Sequence, residues 1–301
     1  MCPPTKIIRV DAPRTIVSLE LHHYTMDSVW AKHYTNPMHR DSLTRKIHRT
    51  LVKIGTLKNW VGIVLPETHF PYQREMIARL RNGLSFHLKN SSSDLPILFH
   101  IFWDEEYRGL KELPKEIPSN ILDIGGHVGM FASYAAHKLP HARIYSYEPE
   151  TTNVDLFKEN IRANGFQDRV ILSAYATCKS VGKRKFFVNP ENTSMQNLYF
   201  AKESRGMKDS ITVSCTTLSD IFSTHNIDRF DFAKIDCEGA EYEILLTLPD
   251  AFFEKLPRMV IEWHTHASHT PEELVGFLEK KGYSVTYSRK PRLITATRKE
   301  D

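Results

Sequence analysis

Asp123-Ile124-Gly125-Gly126-His127-Val128-Gly129 follows directly on the apolar residues Ile121-Leu122 and opens onto a helical stretch from Met130 to Lys138. Strand before and helix after is the context that raises a glycine motif above chance. Gly125 lets the chain turn sharply, and Gly129 lets the helix approach the sheet closely. Backbone N–H groups at the helix start can then hold an anionic group of a cofactor.

Downstream of Asn120 the pattern alternates strand and helix. Strands are predicted at Arg143 to Tyr147, Arg169 to Ala176, Ile211 to Cys215, Phe230 to Asp236 and Met259 to Trp263. Helices are predicted over Val154 to Asn164, started by Thr151/Thr152 and stopped by Asn164-Gly165, then over 217–224, after Gly239 and over 271–281. Two closing strands, 283–287 and 293–297, fit an antiparallel edge. Phe186-Phe187-Val188 reads as an edge strand and 189–209 as a long surface loop. Such alternation implies an α/β domain: a mostly parallel sheet with helices on both faces.

Upstream the reading is coarser. Residues 1–38 show no period. Leu43, Ile47, Leu51, Ile54 and Leu57 recur at helical steps within 42–59, opposite Arg45, Lys46, Arg49 and Lys53. That basic face is either solvated, on a helix packed against the catalytic domain, or a surface for an acidic substrate, an anionic membrane or a partner. A short helix is expected over 72–82, ended by Asn82-Gly83, before the alternating strand Leu84, Phe86, Leu88. We divide the chain into an N-terminal extension (1–70), a lead-in (71–118) and the main domain (119–301).

The 301 residues are 41% hydrophobic and 25% charged, ordinary for a globular protein. Net charge is +4, and the excess is N-terminal: residues 1–60 hold ten Lys/Arg against four Asp/Glu. The remainder holds thirty against thirty-two, a weak footprint for a nucleic-acid enzyme. Cys2, Cys178, Cys215 and Cys237 form no CxxC pair. No apolar run approaches the ~20 residues of a membrane span, and Met-Cys-Pro-Pro lacks a signal core. These features predict a cytoplasmic protein with reduced thiols.

Glu148-Pro149 closes the second strand, twenty-five residues after Asp123. An acid there can accept hydrogen bonds from ribose hydroxyls, which NAD and S-adenosylmethionine share. The glycine spacing is not GxGxxG. An acid before the first glycine favours S-adenosylmethionine, because Asp123 near the turn can attract that cofactor's ammonium group, although a turn-capping role is the alternative. The cofactor-binding set is then Asp123, Gly125, Gly126, His127, Gly129, Glu148, Pro149 and Asp236, with adenine near Ala174 and Tyr175.

Ligands in open α/β sheets sit outside the carboxyl ends of the strands. Asp236 and Glu238 reach that edge from one strand. Glu262, His264 and His266 reach it from the next, on one face if the strand continues. His264 is the first choice for a general base, since imidazole titrates near neutral pH. Asp236 would orient substrate, cofactor amine or base, with Glu238 and Glu262 in support. Glu238 and Glu241 could instead favour a helix N-terminus, and His266 reads as a solvated strand end. The same cluster could hold Mg²⁺ or Mn²⁺. Lys234 either pairs with a carboxylate or snorkels from the strand.

The stretch from Asn120 to about His266 resembles the FkbM family of methyltransferases. The resemblance is carried by the glycine turn, Glu148-Pro149, Thr217-Leu218, the string Lys234-Ile235-Asp236-Cys237-Glu238-Gly239-Ala240-Glu241, and Glu262-Trp263-His264. Arg81-Asn82-Gly83-Leu84 and Glu106-Tyr107 resemble the family's lead-in. The resemblance implies a Rossmann-like, seven-stranded methyltransferase sheet, here with an N-terminal α/β appendage. It also implies S-adenosylmethionine-dependent O-methylation of hydroxyls on sugars, polyketides and other metabolites. His127 departs from the family, which often has Asn there, and no acid ends the strand at Tyr175.

Three rivals stand beside this reading. An RNA-directed methyltransferase is kept in view by the basic N-terminal helix, but the chain lacks an Asn/Asp-Pro-Pro-aromatic element and a basic catalytic region. An NAD(P)-dependent oxidoreductase is opposed by the glycine spacing and by Asp236 and Glu238. A cofactor-binding protein without catalysis is opposed by Asp236, Glu262 and His264. The acceptor, taken to be a small molecule or glycan, is not named by the sequence. Its selection is expected to lie before Asn120 and near 189–209.

Overall fold

Asn120–Ile124 (β3) lies in the middle of a seven-stranded sheet in a computed structural model that describes residues 52, 54–64, 75–89, 94–103, 107–188 and 209–299. Met130–Lys138 (α3) follows it, with the bounds predicted. The sheet continues through Arg143–Tyr147 (β4) and Val170–Ser173 (β5) on one side. On the other stand Phe232–Ile235 (β9), Arg258–Glu262 (β10), Arg292–Arg298 (β12) and Tyr283–Arg289 (β11). Strands β3, β4, β5, β9 and β10 pair in parallel, while β12 runs antiparallel to both its neighbours. This is the Rossmann-like sheet expected, with the closing pair at its edge.

Side chains alternate between two cores, as the pleat requires. Ile121, Ile144 and Phe232 face a core shared with Phe131 and Ala135 of α3 and with Phe157 of Thr151–Ala163 (α4). Leu122, Tyr145 and Ala233 face a core built with Leu218–His225 (α5), Glu241–Leu246 (α6) and Pro271–Lys280 (α7). Both faces are covered, so central strands carry near-continuous apolar runs. Asp123 and Lys234 occupy the first face and are the exceptions.

Four expectations are corrected. Residues 75–79 are not helical: Glu75–Arg79 (β1) pairs with Ser85–Lys89 (β2) as a hairpin. Asn82-Gly83 is its turn rather than a helix stop, with Gly83 at φ 99° and Leu80 N–H bonded to Leu84 O at 2.8 Å. The far edge of β2 is satisfied by α4: Asn160 and Asn164 bond the backbone of His87 and Ser85 at 2.6–3.0 Å. Second, α4 starts on Glu150, whose carboxylate accepts from the N–H groups of Thr152 and Asn153; Thr151 and Thr152 lie inside the first turn. Third, the strand expected up to Ala176 ends at Ser173. Ala176–Thr177 (β6) joins a separate three-stranded sheet with Asp209–Thr216 (β8) and Gly182–Val188 (β7). Fourth, the parallel strand of Glu262 stops there, so His264 and His266 lie beyond regular structure.

The amphipathic stretch 42–59 falls largely outside the described residues. Its end is helical at 54–56, and Leu57 leaves the helix to bridge Leu80, ahead of the short helix Trp60–Val64 (α1). The loop expected at 189–209 lies outside the described residues except for Asp209. Asp94–Phe102 (α2) packs on α3 and β2, burying Leu98 and Ile101 in the same core as Ile121. No helix among the described residues is long and apolar enough to cross a membrane.

Candidate active site

The glycine turn is held from two sides. Gly125 and Gly126 N–H groups donate to Tyr147 O at 3.0 Å, and His127 N–H donates to Glu148 Oε2 at 2.9 Å. A Cβ on Gly125 would stand 1.7 Å from Asp236 O, at φ 81°, so only glycine passes this crossing of β3 and β9. Gly129, at φ 82°, meets the Phe157 ring and lets α3 and α4 close together. The three N–H groups are therefore committed within the protein, and the expected anion cradle does not include them.

Glu148 lies at the carboxyl end of β4 and is buried. Besides His127 it accepts from Glu150 N–H at 3.0 Å and Asn153 Nδ2 at 3.2 Å. Burial pushes its carboxyl up to about 7, against the pull of these hydrogen bonds. A carboxylate offers about four acceptor sites, so capacity remains for a ligand. His127 adopts φ 48°, with Nε2 3.5 Å from Asp94 Oδ1 of α2. Burial, then the charges of Lys89 and Lys234, pull its imidazole down to about 3 and keep it neutral.

Asp123 does not face the cavity as expected of an ammonium partner. It is fully buried, accepts from Ser146 Oγ at 2.9 Å, and lies 3.3 Å from Lys234 Nζ. Lys234 Nζ also stands 3.3 Å from Asp236 Oδ2 and donates to Gly125 O at 2.5 Å. Burial works against the ammonium, but Asp236 and Asp123 outweigh it and raise its pKa. The sequence left Lys234 between pairing and snorkelling; it pairs.

After β9 the chain turns through Glu238 (φ 54°) and Gly239 (φ 109°) into α6. Buried Glu241 fastens that turn: Oε2 accepts from Gly239 N–H at 2.8 Å, and Oε1 from His264 N–H at 2.7 Å. Oε1 also lies 3.2 Å from His264 Nδ1. The opposite nitrogen, Nε2, stands 3.7 Å from Glu238, 3.9 Å from Glu262 and 4.0 Å from Asp236. His266 is not brought to this cluster; its ring lies 4.9 Å from His269, at the strand end. Burial alone would lower the His264 pKa, but the Glu241 bond and the charges of Glu241, Glu238 and Asp236 push it up to about 10. The near-neutral imidazole expected of a resting base is thus corrected: surrounding carboxylates hold it protonated.

One cavity of about 420 Å³ joins these parts. Gly125, Gly126, His127, Glu148, Pro149 and Tyr175 line it from beyond β3, β4 and β5, and Asp236, Glu238 and Glu262 from beyond β9 and β10. Asp123, Gly129, Ala174 and His264 are not on its wall. Residues not foreseen complete it: Ile97, His100 and Ile101 from α2, Tyr107, Thr177, Phe186, Pro291 and Arg292. The three from α2 share helical spacing, a signal present in the sequence. Thr177 and Phe186 come from the small sheet, and Arg292 from the β11–β12 hairpin, whose approach no local pattern announces.

A family model described as a methyltransferase FkbM domain matches residues 123–285. Methyltransferase sdnD of Sordaria araneosa is 27% identical over 201 residues, spanning 58% of this chain and 77% of that protein. The 31-O-demethyl-FK506 methyltransferase FkbM of Streptomyces tacrolimicus is 23% identical over 243 residues, spanning 71% of this chain and 90% of its own. Among solved structures, a SAM-dependent methyltransferase from Agrobacterium tumefaciens is 10% identical, with a TM-score of 0.47 over 77% of this chain and 72% of that one.

Proposed function

Because the chain belongs to the FkbM methyltransferase family, we propose that it transfers the methyl group of S-adenosylmethionine to a hydroxyl oxygen of a small-molecule or glycan acceptor. The observation that carries this reading is one cavity lined both by Glu148, beyond β4, and by Asp236, Glu238 and Glu262, beyond β9 and β10 on the other side of β3. The Glu148 side suits a nucleoside. The carboxylate side suits an oxygen that must lose a proton.

The residues fit the donor. Glu148 retains acceptor capacity for ribose hydroxyls, and Tyr175, 46% exposed beside it, offers an aromatic face to a base. S-adenosylmethionine supplies a methyl already activated on a sulfonium, so in-line positioning removes much of the barrier. The protein then has to place the hydroxyl and receive its proton. Asp236 is suited to this: Oδ2 is engaged by Lys234, while the residue lines the cavity and is part-exposed. As the new C–O bond forms and the S–C bond breaks, the hydroxyl proton passes to that carboxylate. A positioned base of this kind contributes about 10²–10⁴-fold. His264, behind the wall, positions the carboxylates rather than touching the acceptor.

An oxygen target is also supported by the Streptomyces relative, whose name places its methyl group on oxygen. We read 119–301 as the transferase domain, with the lead-in 71–118 helping to select the acceptor through Ile97, His100 and Ile101. Calorimetry with S-adenosylmethionine and with NAD tests the donor, using Glu148→Ala as control. Binding of the methyl donor that is lost in the variant supports the reading; binding of NAD instead overturns it.

A further inference from the structure

Cys178 and Cys215 are both free thiols, and their Sγ atoms lie 2.7 Å apart. We propose that this pair is an oxidation site, closing to a disulfide that ties β6 to β8 beside the cavity. The inference concerns the small sheet and does not rest on the methyl-transfer reading.

Backbone pairing puts the sulfurs together. Cys215 stands opposite Ala176 of β6 on one side and Gly182 of β7 on the other. Cys178 follows β6 directly, its N–H bonded to Thr216 O at 2.8 Å. From there the chain passes from one side of β8 to the other, so Cys178 is held at the end of the strand that carries Cys215. A disulfide bond is about 2.0 Å long, so the sulfurs need to approach by only roughly 0.7 Å. Ala176, Phe186 and Val213 pack with them in one apolar cluster, and the two cysteines are 1% and 2% exposed. A zinc ion would need further ligands. Among the described residues, no group of three His, Cys, Asp or Glu at ligating distance includes this pair.

The oxidant is a low-molecular-weight disulfide, such as oxidised glutathione. One cysteine, as its thiolate, attacks a glutathione sulfur; a mixed disulfide forms and one glutathione thiolate leaves. The second cysteine, having lost its proton, attacks the sulfur of the first and expels the second glutathione. Two protein thiols lose two electrons, glutathione disulfide gains them, and the two protons end on the two glutathione thiols. Burial, then the neighbouring Cys215, pushes the Cys178 thiol above its ordinary range. The thiolate is the attacking form, so exchange from the folded chain is slow. The bond closes fastest while the chain folds, and burial then shields it from reductant.

The cysteines lie thirty-seven positions apart, and the link encloses β7. Closing a long loop restricts the unfolded chain more than the folded one, which stabilises the fold. Thr177 and Phe186 line the cavity, one next to Cys178 in the chain and the other in its apolar cluster. The link therefore also steadies that wall.

The test compares the purified full chain refolded with oxidised glutathione and refolded with dithiothreitol. Mass spectrometry of an unreduced tryptic digest should show peptide 170–179 joined to peptide 209–229 in the first sample only. The oxidised chain should unfold about 5 °C or more above the reduced one. Cys215→Ala should remove both the linked peptide and this gap, and Cys237→Ala should keep both. Absence of the linked peptide, or a bond from Cys178 or Cys215 to a different cysteine in its place, would overturn the site. So would a linked peptide with no thermal gap, or a gap that persists in Cys215→Ala.

Discussion

Lys234 Nζ stands 3.3 Å from Asp123 Oδ1 where neither side chain is more than 5% exposed. The pair joins the end of β3 to β9, and through Asp236 it also fixes one wall of the cavity. Burial raises the Asp123 carboxyl on balance, and Lys234 is the largest influence opposing that.

Removing one partner leaves the other buried without its counter-charge. Lys234→Met is expected to cost about 3–5 kcal/mol of folding stability. Asp123→Asn in the same chain should recover part of it. Chemical denaturation of the single and double variants measures both; a loss under about 1 kcal/mol would show that the pair is dispensable.

Glu148 sets a pH dependence. Its carboxyl sits at about 7 because burial disfavours the charge, above the ordinary 4.5. A folded value above the unfolded one means that the ligand-free protein loses stability as pH rises from about 4.5 to about 7, and little beyond. The donor needs the ionised form, so affinity should fall by up to about tenfold per pH unit below 7. Calorimetry from pH 5.5 to 8.5 should show this slope in the native chain and a flat profile in Glu148→Gln. Equal slopes would place the titration elsewhere.

Two glycines separate strain from collision. Both Gly83 and Gly125 have positive φ, but a Cβ on Gly83 meets nothing within 4 Å, whereas on Gly125 it meets Asp236 O at 1.7 Å. Gly83→Ala should therefore cost about 1 kcal/mol. Gly125→Ala should cost more, about 3 kcal/mol or above, and should abolish donor binding. Thermal unfolding of the two variants side by side decides it; similar losses would mean that β3 and β9 separate easily.

Asp236→Asn tests the proton receiver. Turnover should fall about 10²–10⁴-fold while donor affinity stays within a few-fold. Unchanged turnover would move the proton to Glu238 or Glu262.

The sequence determined the βα rhythm, the glycine turn and the strand ends that carry Glu148, Asp236 and Glu262. These are local matters: apolar runs, helical spacing and residues whose backbone freedom is unusual. It misread 75–79, because Met76, Ile77 and Leu80 fit helical steps while Met76, Ala78 and Leu80 alternate as in a strand, and only the pairing of Ala78 with Phe86 across the turn resolves them. It could not place β6 in a second sheet, since the partner, β8, lies more than thirty residues away. Nor could it assign Asp123 to Lys234, or surround His264 with Glu241, Glu238, Glu262 and Asp236. Which charge faces which, and at what depth, depends on distance and dielectric in three dimensions. A chain position fixes a residue's chemistry, but packing alone decides the field in which that chemistry operates.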